Sequence, residues 1–249
     1  MIRRLTRRRL LTTAAAAAGG AGAVGLAGRF GLIPPDHHGL YGAGETLTYA
    51  SQRLLTSGGS RAREFDRADI SPVAPVNGPA PTTEEYVRLL DGQFADWRLA
   101  VDGLVARPAA LSLDGIRGLP SHSQITLQAC EEGWSFIAEW TGARLASVLE
   151  LVGAAPQARY VFFFTFDGWF ESIDMADALH PQTLLAYGMN GEDLPRHHGA
   201  PARLKVPRQL GYKNLKYLTR MTVTDTVAGV GRGLGGGAAE AGYSWYAGI

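Results

Sequence analysis

Short hydrophobic runs separated by turn residues predict strands from Trp97 onward. Three such runs adjoin Gly-containing turns: Trp97–Val105, Tyr160–Phe166 and Trp169–Ile173. The first run enters an Asp102-Gly103 turn, and Asp167-Gly168 joins the other two into a hairpin. Asn190-Gly191 predicts one more hairpin, because both residues accept the positive φ angles of a type I′ turn. Together these patterns predict mostly antiparallel sheets.

Helical spacing predicts a few short helices between the strands. Thr82–Glu85 has the composition of a capping box and precedes three apolar residues on one helical face: Tyr86, Leu89 and Leu90. Leu111–Leu119 predicts a short helix or turn. Another helix is predicted by apolar residues that end at a glycine: Leu145, Val148, Leu149, Val152 and Gly153. Short strands with a few helices predict an α+β fold.

Ile125–Trp140 contains the only cysteine of the chain, Cys130. Apolar and polar residues alternate before it with the period of a half-buried strand, and Cys130 falls on the polar side at the strand's end. A lone cysteine is most often a small buried hydrophobic residue without chemistry. Here the polar side, the interruption at Glu131–Gly133 and the aromatic Trp134 predict a thiol presented to a ligand.

Composition is that of an ordinary soluble protein with one domain of slightly under 200 residues plus its ends. Hydrophobic residues make up 46% and charged residues 19% of the 249 positions, so a sizeable core can form. A single cysteine excludes an internal disulfide framework. Six of the 24 basic residues and none of the 23 acidic ones lie in residues 1–29, which leaves the remainder with a net charge of −5. This balance does not indicate nucleic-acid binding.

The first 33 residues have the features of an export signal. Thr6–Leu11 is a twin-arginine pattern, and a weakly hydrophobic run rich in Ala and Gly follows it. Leu10–Ile33 is also about long enough for one membrane span. We therefore expect residues 1–33 to be a twin-arginine signal or an N-terminal membrane anchor, and the protein to be periplasmic or otherwise extracytoplasmic.

The rest of the chain divides into three parts by composition. Residues 34–59 begin with prolines, glycines and histidines without periodicity and are expected to be a linker. Residues 60–227 contain the predicted strands and helices and are expected to be the functional domain. Residues 228–249 form a Gly-rich tail whose aromatic end is expected to dock on that domain.

Basic residues are concentrated in Tyr187–Leu218, although the chain without its first 29 residues is acidic overall. Five cations follow one another after His198: Arg203, Lys205, Arg208, Lys213 and Lys216. Gly199 and Gly211 can let the backbone approach a ligand closely. Backbone N–H groups and a guanidinium group could together hold a phosphate. A charge run taken alone favours the alternative, a solvated pair of basic strands.

Two motifs in these segments resemble a known superfamily. Cys130–Ser135 (Cys-x-Glu-Gly-Trp-Ser) is similar to the molybdenum-ligand segment of the sulfite oxidase superfamily. His198–Arg203 (His-Gly-x-Pro-x-Arg), followed by Gly211–Lys216 (Gly-x-Lys-x-x-Lys), resembles its molybdopterin-binding signature. The nearest likeness is to single-domain relatives of the periplasmic methionine-sulfoxide reductase catalytic subunit. The resemblance implies a sulfite-oxidase-like fold in residues 60–227 and a molybdenum-molybdopterin cofactor.

The resemblance also assigns roles to individual residues. Cys130 is implied to be the metal ligand, and Trp134 is implied to shape the catalytic mouth. The residues implied to contact the pterin cofactor are Arg63, Glu64, Cys130, Thr165, His198, Arg203, Asn214, Leu215 and Lys216. The Asn-Arg-Arg run that follows the ligand cysteine in sulfite oxidases is replaced by Glu131–Gly133, and carboxylates at that place would repel sulfite.

The implied activity is a two-electron oxygen-atom transfer on a small sulfoxide, N-oxide or related substrate by a monomeric catalytic domain. Electrons would be exchanged with an external partner, expected to be a membrane haem protein or cytochrome. Three alternatives stay open at the level of the sequence. They are oxidation of a sulfite-type donor, a thiol hydrolase and a binding domain without enzymatic activity. In the hydrolase, Cys130 would be the nucleophile and His180, His197 or His198 the base.

Overall fold

The computed structural model describes residues 32–38, 42–55 and 60–249, and within them two five-stranded sheets form the frame of the fold. The first sheet consists of β1 (Arg98–Gly103), β2 (Ala109–Ser112), β5 (Tyr160–Thr165), β6 (Phe170–Asp174) and β10 (Leu218–Thr224). The second consists of β3 (Ser121–Ala129), β4 (Ser135–Arg144), β7 (Leu184–Met189), β8 (Glu192–Asp193) and β9 (Arg203–Lys205). Helices in this part of the chain are α1 (Gly42–Leu55), α2 (Glu84–Asp91), α3 (Leu113–Arg117), α4 (Leu145–Val152), α5 (Met175–Ala178) and α6 (Gly237–Glu240). The predicted α+β class is confirmed.

Strand order explains how distant segments come together. In the first sheet the order is β2-β1-β10-β5-β6, and β1 pairs with β10 in parallel while the other pairs are antiparallel. In the second, β3, β4, β7 and β8 follow one another, and β9 pairs with β7. Every pairing in this second sheet is antiparallel. One hydrophobic cluster takes side chains from both sheets and from α2 and α4, which holds the two sheets together.

Local sequence signals place several elements where the pattern predicts them. Thr83 caps α2, because its side chain accepts a hydrogen bond from the Tyr86 N–H. Helix α4 ends at Gly153, whose φ of 66° is the left-handed conformation that glycine adopts without a steric penalty. Asn190 and Gly191 have φ angles of 54° and 84°, as the predicted type I′ turn between β7 and β8 requires.

Strand β3 alternates as predicted, but its polar side is the buried one. Gln124, Thr126 and Gln128 are at most 4% exposed, whereas the apolar residues between them are only half-buried. Hydrogen bonds compensate this burial for two of them: Gln124 Nε2 donates to the Gln182 carbonyl at 2.8 Å, and Lys205 Nζ donates to Gln128 Oε1 at 2.8 Å. The Thr126 hydroxyl is buried without a partner among the described residues. Cys130 continues this buried polar side and is itself 7% exposed.

Part of the predicted linker is a packed helix. Within residues 34–59, α1 contacts the domain through Arg53, which pairs with Asp174 and lies 3.1 Å from the nearest Asp177 carboxylate oxygen. The linker prediction is therefore wrong for α1, because its packing depends on partners more than 100 positions away that no local pattern shows. No helix within the described part of the chain is long and apolar enough to cross a membrane. The predicted leader, residues 1–33, lies outside the described residues except for its last two positions.

The aromatic end of the tail lies against the first sheet. Trp245 is 1% exposed and packs against Tyr160, with ring centroids 5.9 Å apart. Its indole N–H donates to Ser172 Oγ at 2.9 Å, and its backbone N–H donates to Asp36 at 2.6 Å. The tail is therefore part of the folded domain in this structure.

Candidate active site

A cavity of about 420 Å³ opens where the β3–β4 turn meets the loops before and after β9. Eight of the ten residues proposed from the sequence line it: Cys130, Trp134, Thr165, His198, Arg203, Asn214, Leu215 and Lys216. They come from segments almost 90 positions apart, which the pairing of β4 with β7 and of β7 with β9 brings together. The two sequence motifs therefore share one cavity.

Cys130 lies in the tight turn between β3 and β4. Its N–H donates to the Trp134 carbonyl at 2.9 Å and its carbonyl accepts from Gly133 at 3.1 Å, so the backbone around the sulfur is fixed. The Sγ atom lies 3.4 Å from Glu131 Oε2. Burial and the Glu131 carboxylate raise the pKa of the thiol to about 11. The Cys130 thiol is therefore protonated at neutral pH unless a metal cation binds the sulfur.

Arg203 is a buried cation without an acidic partner. Its guanidinium group donates to the carbonyl oxygens of His198 at 2.9 Å and Asn214 at 2.8 Å, and within the described residues no carboxylate pairs with it. The Nε atom is buried and has no hydrogen-bond partner. Burial lowers the pKa of Arg203 to about 10. A buried charge of this kind is unfavourable unless an anion compensates it.

Lys216 and His198 extend this positive side of the cavity. Lys216 Nζ donates to the carbonyl oxygens of Asn77 at 2.7 Å and His197 at 3.3 Å. Burial and the nearby Arg203 lower the pKa of Lys216 to about 8. Burial and the same guanidinium group lower the pKa of His198 to about 4, so its imidazole is neutral at pH 7 and can both donate and accept a hydrogen bond.

Asn214 and Thr165 line the cavity but use their side chains within the protein. The Asn214 amide accepts from the Val206 N–H at 2.7 Å and donates to the Leu210 carbonyl at 2.9 Å, which orders the loop before β10. The Thr165 hydroxyl lies 2.9 Å from the Trp169 carbonyl and also contacts the Asp167 carboxylate. Both residues therefore shape the wall of the cavity, and a direct bond to a cofactor stays a prediction.

The sequence predicts that five cations form one anion site, but in the structure they lie at different places. Lys213 Nζ pairs with Glu171 at 2.6 Å, and Arg208 lies 3.7 Å from Asp177, both outside the cavity. Lys205 Nζ donates to Gln128 and to the Leu127 carbonyl. Arg203 and Lys216 are the two of the five that line the cavity.

The two glycines predicted to approach a ligand let chain segments meet closely, and Gly211 also lines the cavity. A Cβ at Gly199 would lie 2.9 Å from Lys216 Cβ, and one at Gly211 would lie 3.3 Å from Cys130 Cα. Gly199 also has a φ of 113°, which disfavours any side chain.

Arg63 and Glu64 lie away from the residues that line the cavity. Arg63 is exposed, and its guanidinium carbon lies 4.6 Å from the centre of the Phe65 ring. Glu64 forms an isolated bridge with Thr126 of β3 and accepts from Gln182 at 2.9 Å. The structure does not place these two residues with the other eight, so their cofactor contact remains a prediction.

Several residues of the cavity wall were missed by the sequence interpretation. They include Gln128, Asp167, Trp169, Tyr212 and Tyr243. Asp167 and Trp169 flank the Gly168 turn that the sequence does predict, and the aromatic tail was expected to dock. No local pattern shows that the Gly168 turn and the aromatic tail line the same cavity as Cys130.

The geometry can be compared with known proteins. Residues 86–229 match the sequence profile of the family described as the oxidoreductase molybdopterin binding domain. The chain belongs to this family. Membership confirms the resemblance recognised in the sequence and implies a molybdenum-molybdopterin cofactor, so the protein is an oxidoreductase.

Curated relatives connect this member with methionine-sulfoxide reductases. The chain is 40% identical over 191 residues to YedZ1 of Azospira oryzae, which is provisionally named a protein-methionine-sulfoxide reductase subunit; the match covers 74% of this chain and 70% of that protein. It is 34% identical over 145 residues to the protein-methionine-sulfoxide reductase catalytic subunit MsrP of Xanthomonas axonopodis pv. citri, covering 52% of this chain and 45% of MsrP. This chain is therefore a molybdopterin oxidoreductase related to MsrP.

A solved structure shares the fold. The sulfane dehydrogenase SoxCD from Paracoccus pantotrophus superimposes with a TM-score of 0.52 at 19% identity, covering 67% of this chain and 51% of the other. At this identity the likeness concerns the fold alone.

The residues present fit the cofactor that the family binds. The buried guanidinium group of Arg203 lacks an anion, its Nε atom lacks an acceptor, and Lys216 adds a second positive charge. A pterin phosphate supplies both the charge and the acceptors. Cys130 lines the same cavity, and its thiolate would be a soft donor that suits a metal of this class.

Proposed function

We propose that this protein reduces a sulfoxide, with the side chain of methionine sulfoxide as the first candidate, by two-electron oxygen-atom transfer. The observation that carries the proposal is the pair of carboxylates beside the ligand cysteine. Glu131 contacts Cys130 and lines the cavity, and Glu132 follows it in the chain and is exposed. Negative charge at this position disfavours an anionic substrate such as sulfite and admits a neutral sulfoxide. The names of the curated relatives support the same substrate class.

The chain's own residues divide into cofactor-holding and substrate-facing groups. Arg203 and Lys216 would neutralise the pterin phosphate, and the neutral His198 imidazole would hydrogen-bond the pterin. Cys130 would bind molybdenum through its sulfur, and its proton would leave because a metal cation stabilises the thiolate. When bound, the cofactor supplies two-electron oxygen-atom transfer at molybdenum.

The overall reaction balances with an external electron donor. The sulfur–oxygen bond of the sulfoxide breaks, the sulfur is reduced to a thioether, and the oxygen leaves as water. Two electrons and two protons are consumed in each turnover. We propose that a membrane haem protein supplies the electrons, because the two sequence motifs account for one redox centre and the relatives are named as subunits.

Trp134 and the acidic turn would control access to the reacting sulfur. Trp134 Nε1 donates to Glu132 Oε2 at 2.8 Å, and its ring stacks on Phe136 with centroids 6.0 Å apart. The indole is therefore held at one side of the mouth. A rigid ring there would limit the entry of water and position a thioether-like side chain next to Cys130.

We also propose that the protein acts outside the cytoplasm. The twin-arginine pattern around Arg7 and Arg8 supports this location, because the twin-arginine route exports proteins that have already folded around a cofactor.

The geometry does not favour the thiol hydrolase. A cysteine nucleophile needs a base within hydrogen-bond reach, but the Cys130 thiol faces Glu131 and its pKa is raised. His180 instead contacts the Ser60 carbonyl at 3.2 Å. His197 and His198 line the same cavity, but within the described residues no hydrogen bond joins either of them to the Cys130 thiol.

The substrate proposal is tested with purified protein loaded with cofactor, using a reduced viologen dye as the artificial electron donor. We expect dye oxidation with methionine sulfoxide and formation of one methionine for every two electrons. The same preparation is assayed in the other direction with sulfite and an artificial acceptor. Sulfite oxidation without sulfoxide reduction would replace the proposal by the donor-oxidising alternative.

A further inference from the structure

Aromatic and acidic side chains surround the mouth of the cavity. We define the rim by its five residues: Glu131, Trp134, Asp167, Trp169 and Tyr243, all of which line the cavity. Trp169 and Tyr243 are 43% and 50% exposed, which is unusual for large aromatic side chains. They come from the β5–β6 turn and from the C-terminal tail, whereas Trp134 comes from the β3–β4 turn. Aromatic rings from three distant segments thus lie around one opening.

The tail is fixed on the domain by specific contacts, so the position of Tyr243 is determined. Its ring lies 5.5 Å from the ring of Tyr212, and the Tyr212 hydroxyl donates to the Ser244 carbonyl at 2.7 Å. The Ala238 N–H donates to the buried Glu171 carboxylate at 2.6 Å. The family match ends at residue 229, so this wall of the mouth lies outside the part that the family profile covers.

Trp169 is supported by the same tail. A Cβ on Gly237 would lie 3.2 Å from the Trp169 ring, so the indole packs directly on the backbone of α6. Its backbone carbonyl also lies 2.9 Å from the Thr165 hydroxyl. These contacts therefore hold the Trp169 ring in place, and its exposed face is available to a ligand.

Charges of both signs line the cavity. Arg203 is 5% exposed and Lys216 is half-buried, and the anionic cofactor would neutralise both. The two acids of the rim have no such partner in the cofactor: Asp167 is exposed and Glu131 is half-buried. With the cofactor bound, the opening keeps a net negative charge, and such an opening attracts cations and repels anions.

We propose that the rim binds a polypeptide segment in which the oxidised methionine is flanked by lysine or arginine. This inference rests on the proposed sulfoxide reduction and names its preferred substrate. The unbranched side chain of methionine sulfoxide enters the cavity, while the neighbouring backbone lies on Trp169 and Tyr243. Flanking ammonium or guanidinium groups meet the carboxylates of the rim and the faces of its aromatic rings.

Binding is measured separately from turnover. Three labelled peptides of equal length carry a central methionine sulfone, which the enzyme cannot reduce by the proposed route, flanked by lysine, glycine or glutamate pairs. Fluorescence anisotropy with the cofactor-loaded protein gives each Kd at low and at high salt. At low salt we expect the lysine peptide to bind at least about tenfold more tightly than the glutamate peptide, with glycine between them. High salt should reduce the difference.

Variants test the acidic and the aromatic side chains of the rim separately. Glu131→Gln combined with Asp167→Asn should bring the lysine and glutamate peptides to similar Kd values. Trp169→Leu and Tyr243→Leu should weaken all three peptides by a similar factor and keep their order. Glu192→Gln, which neutralises an exposed acid on β8 outside the cavity lining, is the matched control and should leave every Kd unchanged.

The outcomes are distinct from those that test sulfoxide reduction. Equal binding of the three peptides, tighter binding of the glutamate peptide, or unchanged binding in Trp169→Leu would overturn the inference. Free methionine sulfoxide could still be reduced in each case. If instead the lysine peptide binds as expected but no sulfoxide is reduced, the proposed function fails and the peptide site stands.

Discussion

Gly211 lies directly against Cys130. A Cβ atom built on Gly211 would lie 3.3 Å from the Cys130 Cα and 3.2 Å from Glu131 Oε2. The loop that carries Asn214 and Lys216 therefore fixes the position of the turn that carries the predicted metal ligand. The two sequence stretches that carry the family resemblance are therefore in direct contact in the structure.

The first prediction concerns this contact. Gly211→Val adds atoms where the Cys130 turn leaves little room, and overpacking of this kind destabilises by about 1–3 kcal/mol. We expect a lower molybdenum content and slower turnover, because the turn must move. Gly229→Val is the control, since nothing lies within 4 Å of its Cβ position. Equal metal content in the two variants would show that the Gly211 contact does not position Cys130.

The second prediction concerns the buried charge of Arg203. Arg203→Met removes a cation that lacks an acidic partner, so cofactor-free protein should unfold at the same or a higher temperature than wild type. The same variant should lose pterin and molybdenum together, and with them the stabilisation that the bound cofactor gives.

Its control is Arg220→Met, which replaces an exposed guanidinium group that lies on the Phe164 ring of β5. This variant should keep its cofactor. Retention of pterin in Arg203→Met at the wild-type level would refute the assignment of Arg203 to the phosphate.

The third prediction concerns the Lys213–Glu171 pair, whose two side chains are at most 1% exposed. Lys213→Met leaves an unpaired buried carboxylate and should destabilise the protein by about 3–5 kcal/mol. Combining it with Glu171→Gln removes that charge and keeps an oxygen for the Ala238 N–H. We expect the double variant to unfold at a higher denaturant concentration than Lys213→Met. A further loss in the double variant would show that the pair does not act as a unit.

The fourth prediction concerns export. Replacing Arg7 and Arg8 with lysine should leave the protein in the cytoplasm, because recognition of the twin-arginine pattern distinguishes guanidinium from ammonium groups. Fractionation of cells that express each form measures this. The matched control replaces Arg3 and Arg4, which precede the pattern, and should be exported normally. Normal export of the first variant would contradict the proposed route.

Local features of the fold could be predicted from the sequence because neighbours in the chain determine them. The Thr83 cap, the Gly153 helix end and the Asn190 turn each depend on a few adjacent residues. Eight cavity residues were also identified, but through family motifs rather than through periodicity.

Features that depend on distant partners were not predictable in this way. Lys213 belongs to a basic run, yet its charge is neutralised by a residue 42 positions away. The buried polar side of β3 depends on Gln182 and Lys205, which come from other segments. Helix α1 is held by Asp174 and Asp177, and Tyr243 reaches the cavity because the tail packs on the first sheet. Tertiary contacts decide each of these cases.

The central claim is that Cys130 binds the molybdenum of a molybdopterin cofactor. Molybdenum X-ray absorption on cofactor-loaded wild type, on Cys130→Ser and on the control Ser135→Ala tests it most directly. We predict one sulfur fewer around the metal in Cys130→Ser, with pterin content unchanged because Arg203 and Lys216 still hold it. The control should match wild type. An unchanged sulfur shell in Cys130→Ser, or folded wild-type protein that takes up no molybdenum in a host that makes the cofactor, would contradict the assignment.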